Sequence, residues 1–570
     1  MGELLFSLGV KLMKKIIYSI LCAFVYLAMC IPISVSAQTV PASMGKEFYC
    51  MVMQNSGNHP GSYFRIYLSS QISTNAIIEI TDSSFSQTIT ITPNIVSTVD
   101  LPLSVEDVTN ETPTNQAIHI LADNDISVSV MYHKQYSSDS YLAFPVTMLG
   151  TDYVTVCYTS CTSTRLFGSD VKASEFGIIG TDDSTLVTIT PSATGTTLNQ
   201  HPVLMQFSIT LNKGETYLVY GNPTDTTGDL TGTIIHSSKP IAVLSGHDRT
   251  EIGHDFGQSR NCLVEQIPPD NMLGNYFITS PYTGRPYPLP DYFRVVAPYN
   301  GTIIYQNGIR ATGIDAGQFY EFSSDQPVQI QTNNPVIVVQ YSLSETGPDG
   351  QYVGSNSFKY LNYGWDPTMM IVPSTSQFLS DYLFSNQVDE AFDSNYVNVV
   401  IPDSAIPSLH LDDRTVQSAF ITIPGSGFSF SQISLPQGSH HITASVPFGL
   451  SIYGTGIADA YANFGGMRPP VLTAVPEMLS LPTESFGIEN ISPNPAFTDA
   501  QISYTVNTSA LVHIGLYNIF GEEVIKWLDD YRNTGNYTSH IQLTGMPEGS
   551  YLLVMQSGKF HSIKQLVVLR

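Results

Sequence analysis

The sequence contains two histidine–aspartate pairs that are candidates for acid–base or metal chemistry. His247-Asp248 and His254-Asp255 lie seven residues apart in the stretch GHDRTEIGHD. Such pairs can bind a metal ion or transfer protons as an acid and a base. The spacing fits no standard zinc motif, so we interpret the stretch as a turn-forming loop. G-x-S-x-G, H-E-x-x-H and P-loop motifs do not occur, so we predict no catalytic residue, no cofactor and no metal ligand.

Other polar candidates have simpler interpretations. His119, His440 and His441 fall in predicted strands, where we expect half-buried sheet residues. Asp182-Asp183-Ser184 and Asp349-Gly350 lack the dense carboxylate spacing of a calcium loop, so we expect solvated turns. A secreted hydrolase with an active site dispersed over loops remains an alternative. Its sign would be a cleft with clustered carboxylates or histidines.

Four cysteines follow residue 37, namely Cys50, Cys157, Cys161 and Cys262. An oxidising compartment permits disulfides, and four cysteines allow three pairings. Cys157 and Cys161 are close enough in CYTSC to close a small loop. A zinc site would need a second ligand pair at suitable spacing, and none is present. We therefore expect one or two disulfides, with the pairing left open.

The composition restricts the class of protein and the class of partner. Charged residues make up 12% of the chain and the formal net charge is −25. This acidity makes nucleic acid an unsuitable partner, because phosphate binding needs basic patches. Glycine, proline and tyrosine are abundant, at 42, 35 and 32 residues, which is typical of β proteins with many turns.

The N-terminus predicts an export signal over residues 1–37. Lys11, Lys14 and Lys15 precede the apolar run IIYSILCAFVYLAMCIPI, and small residues then predict cleavage between Ala37 and Gln38. Translation could start at Met1 or at Met13. A retained membrane anchor is the alternative, because the apolar run is long. After cleavage the sequence predicts no transmembrane anchor.

The sequence repeats itself between residues 44 and 456. A hairpin pattern recurs from Ser62, Ser174, Asp291 and Asn395. A second pattern follows each hairpin, and it predicts paired strands around a polar turn, with Pro240, Pro335 and Pro447 near the turn. We predict four units of about seven strands, near 44–148, 149–272, 273–378 and 379–456. The expected fold is all-β, with four tandem β-sandwich-like repeats, and a propeller-like closure is the alternative.

The repeat region, residues 38–460, resembles a known family. The stretches AVLSGHDRTEIGHDFGQSRNCLVEQIPPDNMLGNYF, AIHILADNDISVSVMYHKQYSSDSYLAFPVTMLGTDYVTV and GIDAGQFYEF are similar to the N-terminal domain of the IgGFc-binding protein family. The resemblance implies a binding domain, but it does not specify the ligand. The chain departs from the family at Arg249 and Arg260, where the family carries a cysteine pair.

The tail follows a linker that we place at residues 461–488, rich in proline and small residues. Residues 489–570 show alternating apolar and polar positions separated by turn residues. This pattern predicts a small Ig-like β-sandwich of about seven strands. The stretches SPNPA, LYNIFGEEV, TGNY and MPEGSYLL resemble the type A C-terminal sorting domain of the Bacteroidetes type IX secretion system. The residues that carry this motif are Pro493, Asn494, Pro495, Gly521, Gly549 and Lys564.

The two resemblances together imply a function and a location. The tail implies handling by the type IX machinery after transit through the periplasm, and release or attachment at the cell surface. The repeats imply binding or adhesion to an extracellular protein or glycan, with mucus glycoprotein, immunoglobulin and environmental glycans as candidates. A structural component of the cell surface or matrix is a further alternative.

Overall fold

The computed structural model describes most of the chain after the N-terminal segment. The described residues are 43–56, 61–81, 83–162, 171–223, 228–253, 260–284, 289–343, 366–386, 391–456, 459–470, 487–506, 510–518, 523–533, 535–557 and 560–569. The chain divides into two compact units, Met1–Val471 and Leu472–Arg570. The predicted signal cleavage site at Ala37 and Gln38 lies outside the described residues.

The first unit consists of four groups of strands, which we name repeats 1 to 4. Repeat 1 contains β1 (Gly45–Cys50), β2 (Tyr63–Ser69), β3 (Thr74–Ile80), β4 (Ser86–Ile91), β5 (Ser97–Leu101), β6 (Ile118–Lys134) and β7 (Ser137–Leu142). Repeat 2 contains β8 (Gly150–Val154), β9 (Cys161–Thr162), β10 (Val171–Lys172), β11 (Ser174–Gly180), β12 (Thr185–Thr190), β13 (Phe207–Leu211), β14 (Thr216–Tyr220), β15 (Ile234–Thr250) and β16 (Asn261–Gln266).

The remaining strands complete the first unit and form the second. Repeat 3 contains β17 (Gly274–Ile278), β18 (Asp291–Val296), β19 (Thr302–Gln306), β20 (Ile309–Ile314), β21 (Phe319–Ser324), β22 (Gln329–Tyr341) and β23 (Met369–Ile371). Repeat 4 contains β24 (Leu379–Ser385), β25 (Ser394–Pro402), β26 (His410–Leu411), β27 (Arg414–Thr415), β28 (Ile421–Ile423), β29 (Phe428–Leu435), β30 (Ser439–Gly456) and β31 (Asp459–Phe464). The tail contains β32 (Gly487–Ser492), β33 (Asp499–Val506), β34 (Ala510–Tyr517), β35 (Glu523–Arg532), β36 (Gly535–Gln542), β37 (Gly549–Ser557) and β38 (Phe560–Val568). Short 3₁₀ turns lie at Leu103–Val105, Val146–Met148, Asp270–Met272, Thr375–Gln377 and Asp403–Ser408.

One long strand runs through each repeat and belongs to two sheets. In repeat 1 the first half of β6 pairs with β1 and β3, and its second half pairs with β2 and β7. β15, β22 and β30 occupy the same position in repeats 2, 3 and 4. Each repeat is therefore built from two antiparallel sheets that share a central strand, and the four repeats have one topology.

The long strands correct one expectation from the sequence. Pro240, Pro335 and Pro447 do not lie near turns between two strands, but inside β15, β22 and β30. Each proline falls where the pairing register with the first strand of its repeat shifts. A proline cannot donate to the ladder, and a register shift leaves it outside the ladder while the strand bends from one sheet into the other.

The last strands of the four repeats meet at the centre of the unit. β7 contacts β16, β16 contacts β23, β23 contacts β31, and β31 contacts β7. The two ends of the unit also meet, because the Ser43 N–H donates to the Met467 carbonyl at 2.9 Å and the Met467 N–H donates to Ser43 Oγ at 2.7 Å. The repeats therefore close into a ring, which corresponds to the propeller-like alternative. We call this unit the ring.

The tail is a two-sheet sandwich with its own core. One sheet has the order β32-β33-β36 and the other β35-β34-β37-β38. Alternate residues face inward, and Ile502, Ile514 and Leu553 are fully buried between the sheets. The predicted all-β fold, with four β repeats and a small C-terminal sandwich, is confirmed. Among the described residues, no helix is long and apolar enough to cross a membrane.

Candidate functional site

Asp139 on β7 lies at the centre of the ring. Its Oδ1 accepts the N–H groups of Ser140 at 3.0 Å and Ala462 at 3.4 Å. Its Oδ2 accepts the N–H groups of Val264 at 3.2 Å and Met369 at 3.3 Å. The four donors lie on β7, β31, β16 and β23, which are the last strands of the four repeats. One carboxylate thus connects all four repeats.

Asn261 on β16 forms a second connection at the centre, and its side chain donates hydrogen bonds where Asp139 accepts them. Its Nδ2 donates to the carbonyls of Pro367 at 2.9 Å and Ala460 at 3.2 Å, and also to that of Ser138. Its Oδ1 accepts the Ser138 N–H. Asn261 therefore joins repeat 2 to repeats 1, 3 and 4.

Burial controls the electrostatics of this central joint. It raises the pKa of Asp139 well above its usual value, whereas the four N–H groups oppose this rise by stabilising the ionised form. Burial, followed by repulsion from Asp139, raises the pKa of Glu265. Asp139, Asn261 and Glu265 have no solvent exposure. The centre is therefore a buried polar joint between the four repeats.

A second polar region lies at the rim, where repeats 1 and 2 meet. It is a cavity of about 350 Å³, which we call the rim cavity. Its lining consists of Tyr49, Glu79, Ile80, Thr81, Ser83, Phe85, Ser86, His119, Lys213 and Gly214. Charged groups, hydroxyls and aromatic rings thus line one open space, and these are the groups that fix small polar ligands in protein sites.

Contacts between neighbouring side chains position the aromatic and charged groups of the rim cavity. The Tyr49 and His119 rings stack with centroids 4.7 Å apart, and His119 Nε2 lies 3.0 Å from Glu47 Oε1. Lys213 Nζ lies 3.8 Å from the same Glu47 oxygen. Burial raises the pKa of Tyr49, and the hydrogen bond to Tyr49 raises the pKa of Lys213. At neutral pH the cavity therefore presents a neutral phenol beside an ammonium group.

A turn of repeat 2 brings Lys213 to the rim cavity. Gly214 has φ +81, and a Cβ at this position would overlap the Thr81 side chain of repeat 1. Glycine therefore permits both the left-handed backbone and the close approach. The Asn-Lys-Gly turn could be identified from the sequence, but no sequence signal connected Lys213 to repeat 1.

The described part of the histidine–aspartate stretch, up to residue 253, is not an open site. His247 is fully buried, its Nδ1 accepts the Arg249 N–H at 3.1 Å, and its Nε2 has no hydrogen-bond partner among the described residues. Asp248 Oδ1 accepts the Ala173 N–H at 2.9 Å. His254-Asp255 lies outside the described residues.

The other polar candidates lie in separate places. His119 and His441 are half-buried and His440 is buried. His440 and His441 pair with Asp412 at 2.8 Å and Asp381 at 2.9 Å, respectively. Asp182 and Asp183 accept backbone N–H groups within exposed turns. Asp349-Gly350 lies outside the described residues, and the part of the chain that the structure describes contains no group of three or more His, Cys, Asp or Glu arranged to hold a metal ion.

The cysteines differ from the expectation of disulfides. Cys50, Cys157 and Cys262 are buried free thiols. Cys157 belongs to one core cluster, whereas Cys50 and Cys262 belong to another. Burial raises the pKa of Cys50 and Cys157 to about 12, so both thiols stay protonated at neutral pH. The side chain of Cys161 lies outside the described residues.

The sorting motif of the tail covers the edge of the last strand. Asn494 Nδ2 donates to the Gln565 carbonyl at 2.8 Å, and Asn494 Oδ1 accepts the Val567 N–H at 2.9 Å. Its neighbours Pro493 and Pro495 follow cis peptide bonds. The Asn494 amide therefore pairs with backbone groups that an edge strand would otherwise leave open.

Two further motif residues of the tail lie on its second sheet. Gly549 begins β37 and pairs with Val568, and Lys564 is exposed on β38. Gly521 lies outside the described residues. The functional role of the six motif residues stays a prediction.

Comparison with known families identifies both units. A sequence profile described as IgGFc binding protein matches residues 139–454, more than half of the chain. The chain belongs to the IgGFc-binding protein family. A second profile, described as a secretion system C-terminal sorting domain, matches residues 490–569. This member of the family is therefore a secreted or cell-surface-attached protein, carrying the tail of type IX secretion.

Individual relatives are distant. The human (Homo sapiens) IgGFc-binding protein is 24% identical over 442 residues, which cover 75% of this chain and 8% of the human protein. A tetra-tandem repeat from the extending region of a large adhesion protein is 11% identical, covers 69% of this chain and 93% of its own, and has a TM-score of 0.13. Dimeric latent PorU from Porphyromonas gingivalis is 10% identical over 57% of this chain and 31% of its own, again with a TM-score of 0.13. TM-scores this low carry no argument about the family fold.

Proposed function

We propose that this chain is a binding protein of the cell exterior that holds a glycan, free or carried on a glycoprotein, in the rim cavity. Membership of the IgGFc-binding protein family and the sorting tail support a secreted or surface binding protein. The observation that carries the choice of ligand is the lining of the rim cavity. It combines an ammonium group, a carboxylate, hydroxyls and aromatic rings in one open space.

The lining suits a ligand that is rich in hydroxyls. Lys213 supplies donors and Glu79 supplies an acceptor, and Glu79 Oε1 is held by Ser86 Oγ at 3.0 Å. The hydroxyls of Thr81 and Ser83 can donate and accept. Phe85 adds an apolar surface that can pack against the C–H face of a sugar ring. A neutral sugar uses all of these groups, whereas a purely apolar or purely anionic ligand would leave several of them without partners.

The ring favours binding because it fixes the two walls of the cavity. The walls come from repeats 1 and 2, whose last strands are joined through Asp139 and Asn261. Walls that are already in place before binding reduce the entropy lost when a ligand binds.

The test uses the full secreted chain on an immobilised glycan panel, with mucin and IgG Fc as further probes. Lys213→Ala and Glu79→Gln should each weaken binding to the best glycan about tenfold, as expected for loss of a central polar contact. Lys239→Ala is the matched control, because it removes a lysine of the same repeat that does not line the cavity. Unchanged binding in both cavity variants, or binding to the Fc alone, would refute the proposal.

A further inference from the structure

Asn55, Glu106 and Lys134 meet in the ring where β6 ends. Lys134 is 5% exposed, and its Nζ lies 2.7 and 2.8 Å from the two carboxylate oxygens of Glu106. The same Nζ donates to the main-chain carbonyl of Asn55 at 2.7 Å. The Asn55 N–H in turn donates to Glu106 Oε1 at 2.8 Å. An amine and a carboxylate are therefore in contact with each other and with a residue that carries a carboxamide.

The carboxamide of Asn55 is fully buried but incompletely paired. Its Nδ2 donates to the Ser137 carbonyl at 2.8 Å, whereas its Oδ1 has no hydrogen-bond partner among the described residues. A buried amide oxygen without a partner costs free energy and needs an explanation. Because one hydrogen bond holds the group, breaking that bond lets the carboxamide turn towards the Lys134 amine.

The surroundings favour transfer of a proton from the amine to the carboxylate. The side chains of Lys134 and Glu106 are 7% and 13% exposed, and the Phe64 ring centroid lies 5.9 Å from Nζ. Burial disfavours a charge on either group, so the proton can pass along the hydrogen bond that joins them. The transfer produces a neutral amine, which is the nucleophilic form of lysine, beside a neutral carboxylic acid.

We propose that Lys134 and Asn55 become joined by an amide bond, with Glu106 as the proton carrier. Lys134 Nζ attacks Asn55 Cγ, so that the Nζ–Cγ bond forms and the Cγ–Nδ2 bond breaks. Of the three protons on the lysine ammonium group, one stays on the new amide. The other two pass through Glu106 to the departing nitrogen, which leaves as ammonium. The reaction consumes no oxidant or reductant.

The bond fixes the segment that closes the ring. Residues 43–56 contain both Asn55 and Ser43, whose N–H donates to the Met467 carbonyl across the closure. Asn55 and Lys134 are 79 residues apart, and a cross-link over such a distance restricts the unfolded chain. Three cysteines of the ring are free thiols, so they supply no such constraint. This inference does not depend on the ligand of the ring.

The test is mass spectrometry of tryptic peptides from the full secreted chain. Trypsin does not cut after an acylated lysine, so the linked product joins residues 47–65 to residues 66–165. Its mass should be about 17 Da below the sum of these two peptides, because ammonia is lost. An unlinked chain gives residues 47–65, 66–134 and 135–165 as separate peptides, and this result from the folded chain would overturn the proposal. A loss of about 18 Da within residues 66–165 alone would mean that Glu106 lost water to Lys134, and would also overturn it.

Two variants test the roles of the amine and of the proton carrier. Lys134→Arg keeps the positive charge but removes the nucleophilic amine, and Glu106→Gln removes the carboxylate, so each should lose the linked peptide. Lys239→Arg is the matched control, because it makes the same change at an exposed lysine, and it should retain the link. A linked peptide at the wild-type yield in either of the first two variants would overturn the proposal. If a variant does not fold, the peptides of the wild-type chain decide the outcome by themselves.

Discussion

At the scale of single residues, Asp139 has the most connections in the ring. Both of its oxygens accept two backbone N–H groups. Asp139→Asn preserves the shape but places an amide N–H₂ opposite two N–H donors. We expect a loss of about 3 kcal/mol in the free energy of unfolding, because two buried N–H donors lose their acceptor and face an amide N–H₂ instead. Urea denaturation measures this loss.

The control for this substitution is Asp325→Asn, which makes the same chemical change at an exposed position. It should change the free energy of unfolding by less than about 0.5 kcal/mol. Equal effects of the two substitutions would contradict the role of Asp139 as the central joint.

A buried ion pair joins repeats 2 and 3. Arg294 Nη1 lies 2.8 Å from Asp229 Oδ2, and Arg294 Nε lies 2.7 Å from Glu321 Oε2. Burial acts to raise the pKa of Asp229, but the charge of Arg294 and the hydrogen bonds from Thr231 and Arg294 together hold the pKa below its usual value. Asp229 therefore contributes stability above its unfolded-state pKa, and that contribution is lost as the pH falls through the folded-state pKa.

Arg294→Met leaves the Asp229 carboxylate buried without its cation. We expect a loss of about 3–5 kcal/mol in the free energy of unfolding at neutral pH. Burial, the largest influence on the pKa of Asp229, is then opposed only by the hydrogen bonds from Thr231, so the pKa rises. The variant therefore gains stability as the pH falls and Asp229 takes up a proton. Urea denaturation at pH values around 7 and 5 should show a smaller difference from wild type at the lower value. A pH-independent loss, or an equal loss for the exposed Arg310→Met, would contradict this interpretation.

At the scale of elements, the close pairing of β15 with β16 depends on a glycine. A Cβ at Gly246 would overlap the Leu263 carbonyl oxygen. Gly246→Ala should therefore force the two strands apart and cost about 1–3 kcal/mol, because backbone cannot yield as a flexible side chain can. Thermal unfolding should show a lower midpoint. Gly313→Ala on β20, where the nearest atom is 3.6 Å from the added Cβ, should leave the midpoint unchanged.

At the scale of the whole molecule, the hydrophobic cores define two cooperative units. One core cluster extends over repeats 1 and 2, another joins repeats 1 and 4, and a third connects all four repeats. The core of the tail contains only tail residues. Calorimetry should therefore show one transition for the ring and one for the tail. Deletion of residues 471–570 should remove the second and move the midpoint of the first by less than about 2 °C. Separate transitions for individual repeats would show that the ring does not unfold as one unit.

Local patterns were sufficient to predict the fold class and the identity of both parts of the chain. Alternation in TNAIIEI, residues Thr74–Ile80, matches its alternating burial as β3. Turn residues and repeated stretches predicted four β units and a small sandwich at the end. These properties depend on neighbours in sequence, and strand periodicity and turn chemistry are local.

The ring, its central joint and the rim cavity were decided only by tertiary structure. Asp139 and Asn261 occur in stretches that carry the family resemblance, and Lys213 occurs outside them. No local pattern indicates their partners, which lie up to 323 residues away, as for Asp139 and Ala462. The same holds for Pro335, which predicted a turn but lies at a bend in β22. Local patterns in the sequence were enough to predict the repeated β units and the C-terminal sorting domain. Contacts between distant repeats determine how the strands assemble into a closed ring. Long-range pairing depends on the packing of whole sheet faces, which no local pattern specifies.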